Sequence, residues 1–233
     1  MREQPQSFEY EINELANNDS WRMFRIIGEF VEGFEALANV EPAVTIYGSA
    51  RELKAEHPLY VMAEEIAFRL AKQGFSIITG GGPGTMDAAN KGAIRGEARS
   101  IGLNIKLPLE QKLNDFTTVS LNFRYFFVRK VMLVKYASAF IFMPGGLGTM
   151  DELMEVLTLM QTHKIKPFPA ILVGSDYWKG LLDWMRNTVL AQGRISEDDL
   201  HLLRVCDTVD EVVEAVRMWH HKGELGGKRA LSR

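Results

Sequence analysis

Short apolar runs alternate along most of this chain with segments whose apolar residues recur every three or four positions. The short runs predict β-strands and the periodic segments predict helices. The predicted strands cover 43–48, 75–79, 99–105, 117–123, 139–143, 169–174 and 203–206. The predicted helices cover 58–72, a stretch ending near 94, 124–136, a stretch ending near 161, 175–190, 196–202 and 208–220. Apolar strands separated by helices indicate an α/β fold, with a parallel sheet covered on both faces.

The two ends of the chain depart from this alternation. A helix is predicted over 21–37, with Asp19 or Ser20 as its cap, because apolar residues recur there at helical spacing. These residues are Trp21, Phe24, Ile27, Val31, Phe34 and Leu37. Residues 1–40 are therefore interpreted as a helical extension, and 221–233 as a flexible tail with little to bury. Since no interdomain linker is visible, residues 1–233 are predicted to form a single α/β domain.

Composition narrows the class of protein. The chain has 233 residues, of which 46% are hydrophobic and 24% charged, a balance typical of globular proteins. The net charge of −3 gives no basic field for nucleic acid. No apolar run approaches the roughly 20 residues of a membrane helix, and the polar start lacks a signal-peptide core. One cysteine, Cys206, excludes an internal disulfide framework. We expect a cytoplasmic protein that binds neither nucleic acid nor membrane.

Nearly the same glycine-rich turn occurs twice, as GGGPGTMD at 80–87 and PGGLGTMDE at 144–152. Each turn follows a predicted strand and opens a predicted helix, which places backbone N–H groups where a phosphate is stabilised. Neither turn has the spacing of a P-loop or of a dinucleotide fingerprint, which disfavours an NTPase and a nicotinamide cofactor. The glycines could simply permit a tight turn. Two such turns in one sheet favour a shared ligand of nucleotide size.

Only the second turn ends in a glutamate, Glu152. One interpretation is a capping box, with Thr149 as N-cap and Glu152 reaching back from the third helical position. The other interpretation is a carboxylate that meets the ribose of a nucleotide whose phosphate lies on the turn. The first turn has Ala88 at the matching position and therefore lacks both possibilities.

The predicted helix at 124–136 is apolar almost all round, so we expect it to be largely buried. Arg129 and Lys130 lie in its middle. Two alternatives remain open for these cations: both extend along their stems to water, or at least one meets a carboxylate or phosphate in the cleft.

Four ordered blocks carry a resemblance to a known family. The pair RK at 129–130, followed by PGGLGTMDE, resembles the LONELY GUY family of nucleoside 5′-monophosphate phosphoribohydrolases, whose members were often labelled lysine decarboxylases. GGGPGTMDAANKGA (80–93) and YGSA (47–50) match its other blocks. The resemblance covers about 43–174. The N-terminal helix and LPLEQKLN (107–114) are similar to a longer, bacterial-type subgroup. Asp151 stands where the family often has a first glutamate.

The resemblance implies a Rossmann-like three-layer fold, at least a homodimer, and hydrolysis of a nucleoside monophosphate such as AMP to free base and ribose 5-phosphate. No His, Cys and carboxylate cluster has metal-ligand spacing, so we expect no metal, and we expect no cofactor. The family's catalytic residues fall on Arg129 and Glu152. Substrate and phosphate contacts are expected at Gly145, Gly146, Gly148, Thr149, Lys130, Gly48, Ser49, Gly81, Gly82 and Glu110.

The expected mechanism places Glu152 below the ribose, where it stabilises positive charge at C1′ and activates water. Arg129 is expected to lower the pKa of Glu152 by pairing with it. Met132 and Met143 are the candidates for the base pocket. Three alternatives remain: a pyridoxal phosphate enzyme whose imine forms on Lys130, a nucleotide carrier without turnover, and a DNA-binding protein, which the charge disfavours.

Overall fold

A computed structural model describes residues 19–51, 53–107 and 113–230, and the side chains of 21–51, 53–107 and 113–220. The strands are β1 Ala43–Tyr47, β2 Ser76–Thr79, β3 Ser100–Ile105, β4 Val119–Phe123, β5 Ala137–Phe142, β6 Ala170–Val173 and β7 Leu203–Cys206. The helices are α1 Asp19–Leu37, α2 Pro58–Ala71, α3 Thr85–Arg95, α4 Phe126–Lys135, α5 Leu147–Gln161, α6 Ser175–Trp184, α7 Glu197–Leu200 and α8 Val209–Ala230.

The strands form one parallel sheet in the order β4-β3-β2-β1-β5-β6-β7. The chain builds outward from β1 to β4, returns to the other side of β1 with β5, and then builds outward again to β7. The order therefore reverses between β1 and β5, where Tyr47 pairs with Phe142. In open α/β sheets the loops that leave such a switch point form the ligand-binding crevice. Here those loops are the one after β1 and the second glycine turn.

Helices cover both faces of the sheet, which confirms the predicted three-layer α/β architecture. One core contains Met132 of α4, Val156 of α5 and Trp178 of α6. The other contains Ile66 of α2, Ala89 of α3 and Val216 of α8. The Rossmann-like strand order and the added N-terminal helix also agree with the expectation.

The predicted apolar stripe of α1 faces solvent instead of the core. Trp21 and Phe24 are each 67% exposed, and Ile27, Val31 and Phe34 are also exposed, whereas Leu37 is fully buried. The opposite side of α1 contacts the protein, since Gly33 lies against Met132 and the Glu29 carboxylate accepts the backbone N–H of Arg124. The pattern correctly predicted a helix but not which side of it the chain itself covers.

Several boundaries differ from the sequence prediction. The expected helix over 175–190 is α6 followed by a π-helical turn at Met185–Leu190. Helix α8 continues to Ala230, past the predicted end at 220. In the described part of the chain, no helix is both long enough and apolar enough to cross a membrane.

Candidate active site

The second glycine turn lies at the switch point and leads directly into α5. The helix begins at Leu147 with Gly146 as N-cap, and no side chain caps it. Within the described residues, no acceptor takes the backbone N–H of Gly146, Leu147 or Gly148. A Cβ added at Gly146 or Gly148 would meet nothing within 4 Å, and Leu147 is 90% exposed. The turn therefore presents free N–H groups to open space at a positive helix end, which suits an anion.

The first glycine turn, by contrast, is largely buried, and several of its polar groups bond within the protein. The N–H of Gly81 donates to the Thr79 hydroxyl at 2.9 Å. The carbonyl of Gly81 accepts the Asn114 N–H at 2.9 Å, and the carbonyl of Gly82 accepts the Asn114 side-chain amide at 3.0 Å. Gly81 and Gly84 both have positive φ. Gly81 and Gly82 were both predicted to contact a ligand. In the structure the N–H and carbonyl of Gly81 and the carbonyl of Gly82 are already bonded within the protein.

The loop after β1 joins the two turns. The N–H of Ser49 donates to the carbonyl of Pro144 in the second turn at 3.2 Å, and the carbonyl of Ser49 accepts the N–H of Thr85 at 3.1 Å. A Cβ at Gly48 would collide with the Thr85 side chain at 2.6 Å. Gly48 and Ser49 therefore set the spacing between the turns, and the N–H of Ser49 is already occupied.

Arg129 is held between three elements. Its Nε donates to the carbonyl of Leu103 in β3, with a distance of 2.7 Å. Its Nη2 lies so close to Gly80 that any Cβ there would overlap it. Its Nη1 lies 3.8 Å from Oε1 of Glu152. The first turn therefore contributes to the site through Gly80, which leaves room for the guanidinium.

Glu152 lies on the second turn of α5, facing Arg129, and its side chain is only 14% exposed. Burial raises the pKa of Glu152 to about 7, although Arg129 acts in the opposite direction. The expectation that Arg129 would hold this pKa below its usual value is therefore wrong. At 3.8 Å the pair is too long for a hydrogen bond, so attraction does not offset the loss of water around the carboxylate.

Lys130 pairs with two carboxylates of α5. Its Nζ lies 2.7 Å from Asp151 and 3.6 Å from Glu155, one helical turn apart on α5. Partial burial alone would lower the pKa of Lys130. The two carboxylates together raise it by more, so the pKa lies above its usual value. Of the two alternatives left open for the cations, carboxylate pairing describes both. Lys130 ties α4 to α5 beside Glu152, and its predicted phosphate contact stays a prediction.

Thr149 is not the N-cap, so the capping box predicted with Glu152 is wrong. The helix begins two residues earlier, which places Thr149 inside its first turn, where the residue is almost fully buried. Its side chain lies directly beneath Gly145, leaving no room for a Cβ there. Thr149 therefore supports the turn from inside, and Glu152 has no capping task.

The predicted base pocket and the predicted burial of α4 differ from the structure. Met132 and Met143 are fully buried in the two cores, so neither can line an open base pocket. Helix α4 is not largely buried, since Phe126, Phe127 and Val131 are exposed. Glu110 lies outside the described residues. No group of three potential metal ligands occurs among the described side chains.

Two tyrosines at the site escaped prediction. Tyr47 stacks on Phe142 with ring centroids 4.8 Å apart, and burial together with Glu152 raises the pKa of its hydroxyl. Tyr177 of α6 donates its hydroxyl hydrogen to the carbonyl of Gly145. YGSA contains Tyr47, but nothing in the local sequence connects Tyr177 with a turn more than thirty positions earlier.

This geometry can now be compared with known proteins. The sequence profile of a family described as "Possible lysine decarboxylase" matches residues 86–216, more than half of the chain. The chain therefore belongs to this family, and the resemblance inferred from its glycine blocks is confirmed. It is similar to a cytokinin riboside 5′-monophosphate phosphoribohydrolase of Mycobacterium tuberculosis, with 30% identity over 74% of this chain and 91% of that protein. A protein of the same activity name from Oryza sativa is 28% identical over 77% and 74%.

Solved structures share the fold at lower identity. A molybdenum cofactor carrier protein from Chlamydomonas reinhardtii aligns with a TM-score of 0.56 and 22% identity, covering 77% of this chain and 98% of that one. A molybdenum cofactor binding protein from Rippkaea orientalis aligns with a TM-score of 0.52 and 21% identity, covering 76% and 94%. These similarities confirm the fold class alone.

Proposed function

We propose that this protein hydrolyses the N-glycosidic bond of nucleoside 5′-monophosphates such as AMP, releasing the free base and ribose 5-phosphate. The observation that carries the proposal is the buried Arg129–Glu152 pair beside an uncapped glycine turn with free N–H groups. The names of the relatives support the same reaction type. Adenine or a modified adenine as the base is a finer prediction of the same proposal.

The phosphate binds at the start of α5. The free N–H groups of Gly146, Leu147 and Gly148 donate to its oxygens, and the helix dipole adds further attraction. A phosphate held there places the ribose beside the first two turns of α5, within reach of Glu152. Binding energy from the phosphate can then contribute to catalysis at C1′, which is remote from it.

Glu152 acts at the reacting carbon. Cleavage breaks the bond between C1′ and the base nitrogen, and the bonding electrons leave with the base while C1′ becomes positive. An ionised Glu152 stabilises that charge and accepts a proton from the attacking water, whose oxygen bonds to C1′. The departing base takes up a proton from the solvent. Since burial raises its pKa to about 7, the carboxylate is a stronger base than an ordinary glutamate. We expect kcat/KM to fall as the pH drops through about 7, because protonation removes the required form.

The test is incubation of the purified protein with AMP, followed by chromatography for adenine and ribose 5-phosphate. Adenosine and ATP serve as substrate controls. Glu152→Gln keeps the shape of the side chain but removes its charge, and we expect it to lose at least about 1000-fold in kcat. Glu214→Gln, at an exposed ion pair on α8, is the matched control. Full activity in a folded Glu152→Gln protein contradicts the assignment.

The same experiment separates the alternatives. Bound but intact AMP would indicate a carrier without turnover. A visible absorbance band would indicate pyridoxal phosphate, but Lys130 is poorly suited to an imine, because its two carboxylates favour the protonated amine. The cytoplasmic location stays a prediction from composition.

A second copy of the chain is the proposed partner. The exposed stripe of α1 lies beside α4, whose Phe126 and Phe127 are about half exposed. An exposed apolar surface that continues over two neighbouring helices typically marks a protein interface. Arg129 belongs to the same helix α4, so a partner on this face borders the candidate site.

Sedimentation velocity at micromolar concentration tests the homodimer. We expect the wild-type chain to be at least dimeric and the double variant Phe24→Glu/Val31→Glu to be monomeric. Val61→Glu places the same charge at an exposed apolar residue of α2, on the other side of the sheet, and should leave the assembly intact. A monomeric wild-type chain would rule out this use of the surface.

A further inference from the structure

Tyr177 contacts the second glycine turn from the side opposite the cleft. It lies on α6, which follows β6, and β6 pairs with β5 on the flank away from β1. Its ring is about half exposed, and its hydroxyl donates to the carbonyl of Gly145. The carbonyl of Gly145 is therefore directed towards the β6 side of the turn.

The direction of that carbonyl determines the direction of an N–H group. The carbonyl of Gly145 and the N–H of Gly146 belong to one peptide unit, which is trans, since the cis bond of the described chain is Glu41–Pro42. In a trans peptide the two groups point in opposite directions. With the carbonyl fixed towards β6, the N–H of Gly146 points towards β1, which is the side of the switch-point crevice.

The anchor itself is well fixed. Trp178, next to Tyr177, is fully buried, and its indole N–H donates to the carbonyl of Val173 at 3.1 Å. The two rings meet edge to face at 5.0 Å. The N–H of Ser175 donates to the Asp207 carboxylate at 2.6 Å, which holds the start of α6. The hydroxyl of Tyr177 is thus a fixed donor on a rigid element.

We propose that Tyr177 is a positioning residue for the phosphate of the substrate. Its hydroxyl orients the Gly145–Gly146 peptide so that the N–H of Gly146 faces the bound anion. This inference rests on the proposed function for the identity of the ligand, but it concerns binding and not bond cleavage. Without the hydroxyl, the peptide can rotate and the N–H no longer has a fixed direction.

Tyr177→Phe removes the hydroxyl and keeps the half-exposed ring, so we expect the fold to be unchanged. Calorimetric titration with ribose 5-phosphate should show affinity about 3- to 10-fold weaker, the loss expected for one hydrogen bond. Adenosine, which lacks the phosphate, should bind as it does to the wild type. In steady state, KM for AMP should rise while kcat changes less than twofold. Tyr60→Phe, which removes a hydroxyl bond to Asp87 at 2.5 Å on α3, is the matched control and should change neither ligand.

The outcomes separate this inference from the proposed function. Ribose 5-phosphate affinity within twofold of the wild type, or an equal loss for adenosine, overturns the role of Tyr177. If the wild-type protein binds ribose 5-phosphate but does not cleave AMP, the hydrolase proposal is contradicted. The titration of Tyr177→Phe with ribose 5-phosphate still tests the role of Tyr177 in that case. A wild-type protein that does not bind ribose 5-phosphate overturns both.

Discussion

The two glycine turns differ over Gly81–Asp87 and Gly145–Asp151 at a single position, Pro83 against Leu147. Their structures nevertheless differ in the property that matters for a ligand. The second turn is exposed and leaves the N–H groups of Gly146, Leu147 and Gly148 free at the start of α5. The glycines of the first turn are buried, and Gly81 and Gly82 bond to Thr79 and Asn114. Nearly identical local sequence therefore produces one open turn and one closed turn.

The difference arises from the surroundings of one matched glycine pair. Gly84 has a φ of +73° and lies against the backbone carbonyls of Ser49 and Arg51, so α3 cannot begin before Thr85. Gly148, at the same motif position, is already helical and has open space around it. The loop after β1 packs over the first turn and leaves the second one exposed. The comparison shows that a glycine motif specifies a possible turn, and that the packing around it decides whether an anion can reach it.

The first turn contributes to the site through Gly80, which contacts Arg129. Among the variants that compare the two turns, a change at Arg129 is expected to have the largest effect. Arg129→Lys retains a charge, but an ammonium group cannot contact Leu103, Gly80 and Glu152 together as the planar guanidinium does. We expect kcat/KM for AMP to fall by about 100-fold or more. Steady-state kinetics of Arg129→Lys beside Arg124→Lys, a change at an exposed arginine just before α4, measures the effect.

Gly80→Ala provides the complementary variant for this link. The added methyl group should displace the guanidinium and cause a similar loss, and the double variant should lose little more than either single one, because both changes disturb one contact. Fully additive losses would show that Gly80 and Arg129 act independently.

The matched glycines offer a direct test of the open and closed turns. Gly84→Ala forces a methyl group onto positive φ and within 2.6 Å of the Ser49 carbonyl, so we expect a loss of about 3 kcal/mol in the free energy of unfolding. Gly148→Ala should change stability by less than about 1 kcal/mol. Its methyl leans towards the helix start and should raise KM for AMP about tenfold. Urea unfolding and kinetics on both variants measure the two effects, and equal destabilisation would contradict the distinction.

The sequence predicted the sheet, the two turns and the Arg129–Glu152 pair because these follow from hydrophobic periodicity and from ordered motif blocks. It did not predict the start of α5, since the same letters begin a helix two motif positions later in the first turn. It also misjudged the pKa of Glu152, because a sequence identifies a partner but not the distance or the burial that oppose it. Tyr177 was missed since it reaches the turn from a separate strand–helix unit.

The smallest expected effect is the loss in the free energy of unfolding that results from burying the Glu152 carboxylate. The first turn, which has Ala88 at the matching position, has no such loss. Because the folded pKa of about 7 lies above the ordinary value of 4.5, the fold favours the protonated carboxyl. Below pH 4.5 the wild type carries no penalty, and as the pH rises through 7 it loses up to about 3 kcal/mol of stability. Glu152→Gln should therefore be more stable than the wild type at pH 8, by about 1–3 kcal/mol, with a smaller difference at pH 5.

Urea unfolding of both proteins at pH 5 and pH 8 measures that difference, with Glu214→Gln as a variant whose effect should not depend on pH in this way. A gap of the same size at both pH values would mean that Glu152 is not strained by burial. A gap that grows with pH, in a variant that no longer cleaves AMP, would show that the second turn gives up stability for its carboxylate. The first turn has the buried, uncharged Ala88 at the matching position and therefore has no such cost. It contributes to the site through Gly80, which only leaves room for the guanidinium of Arg129.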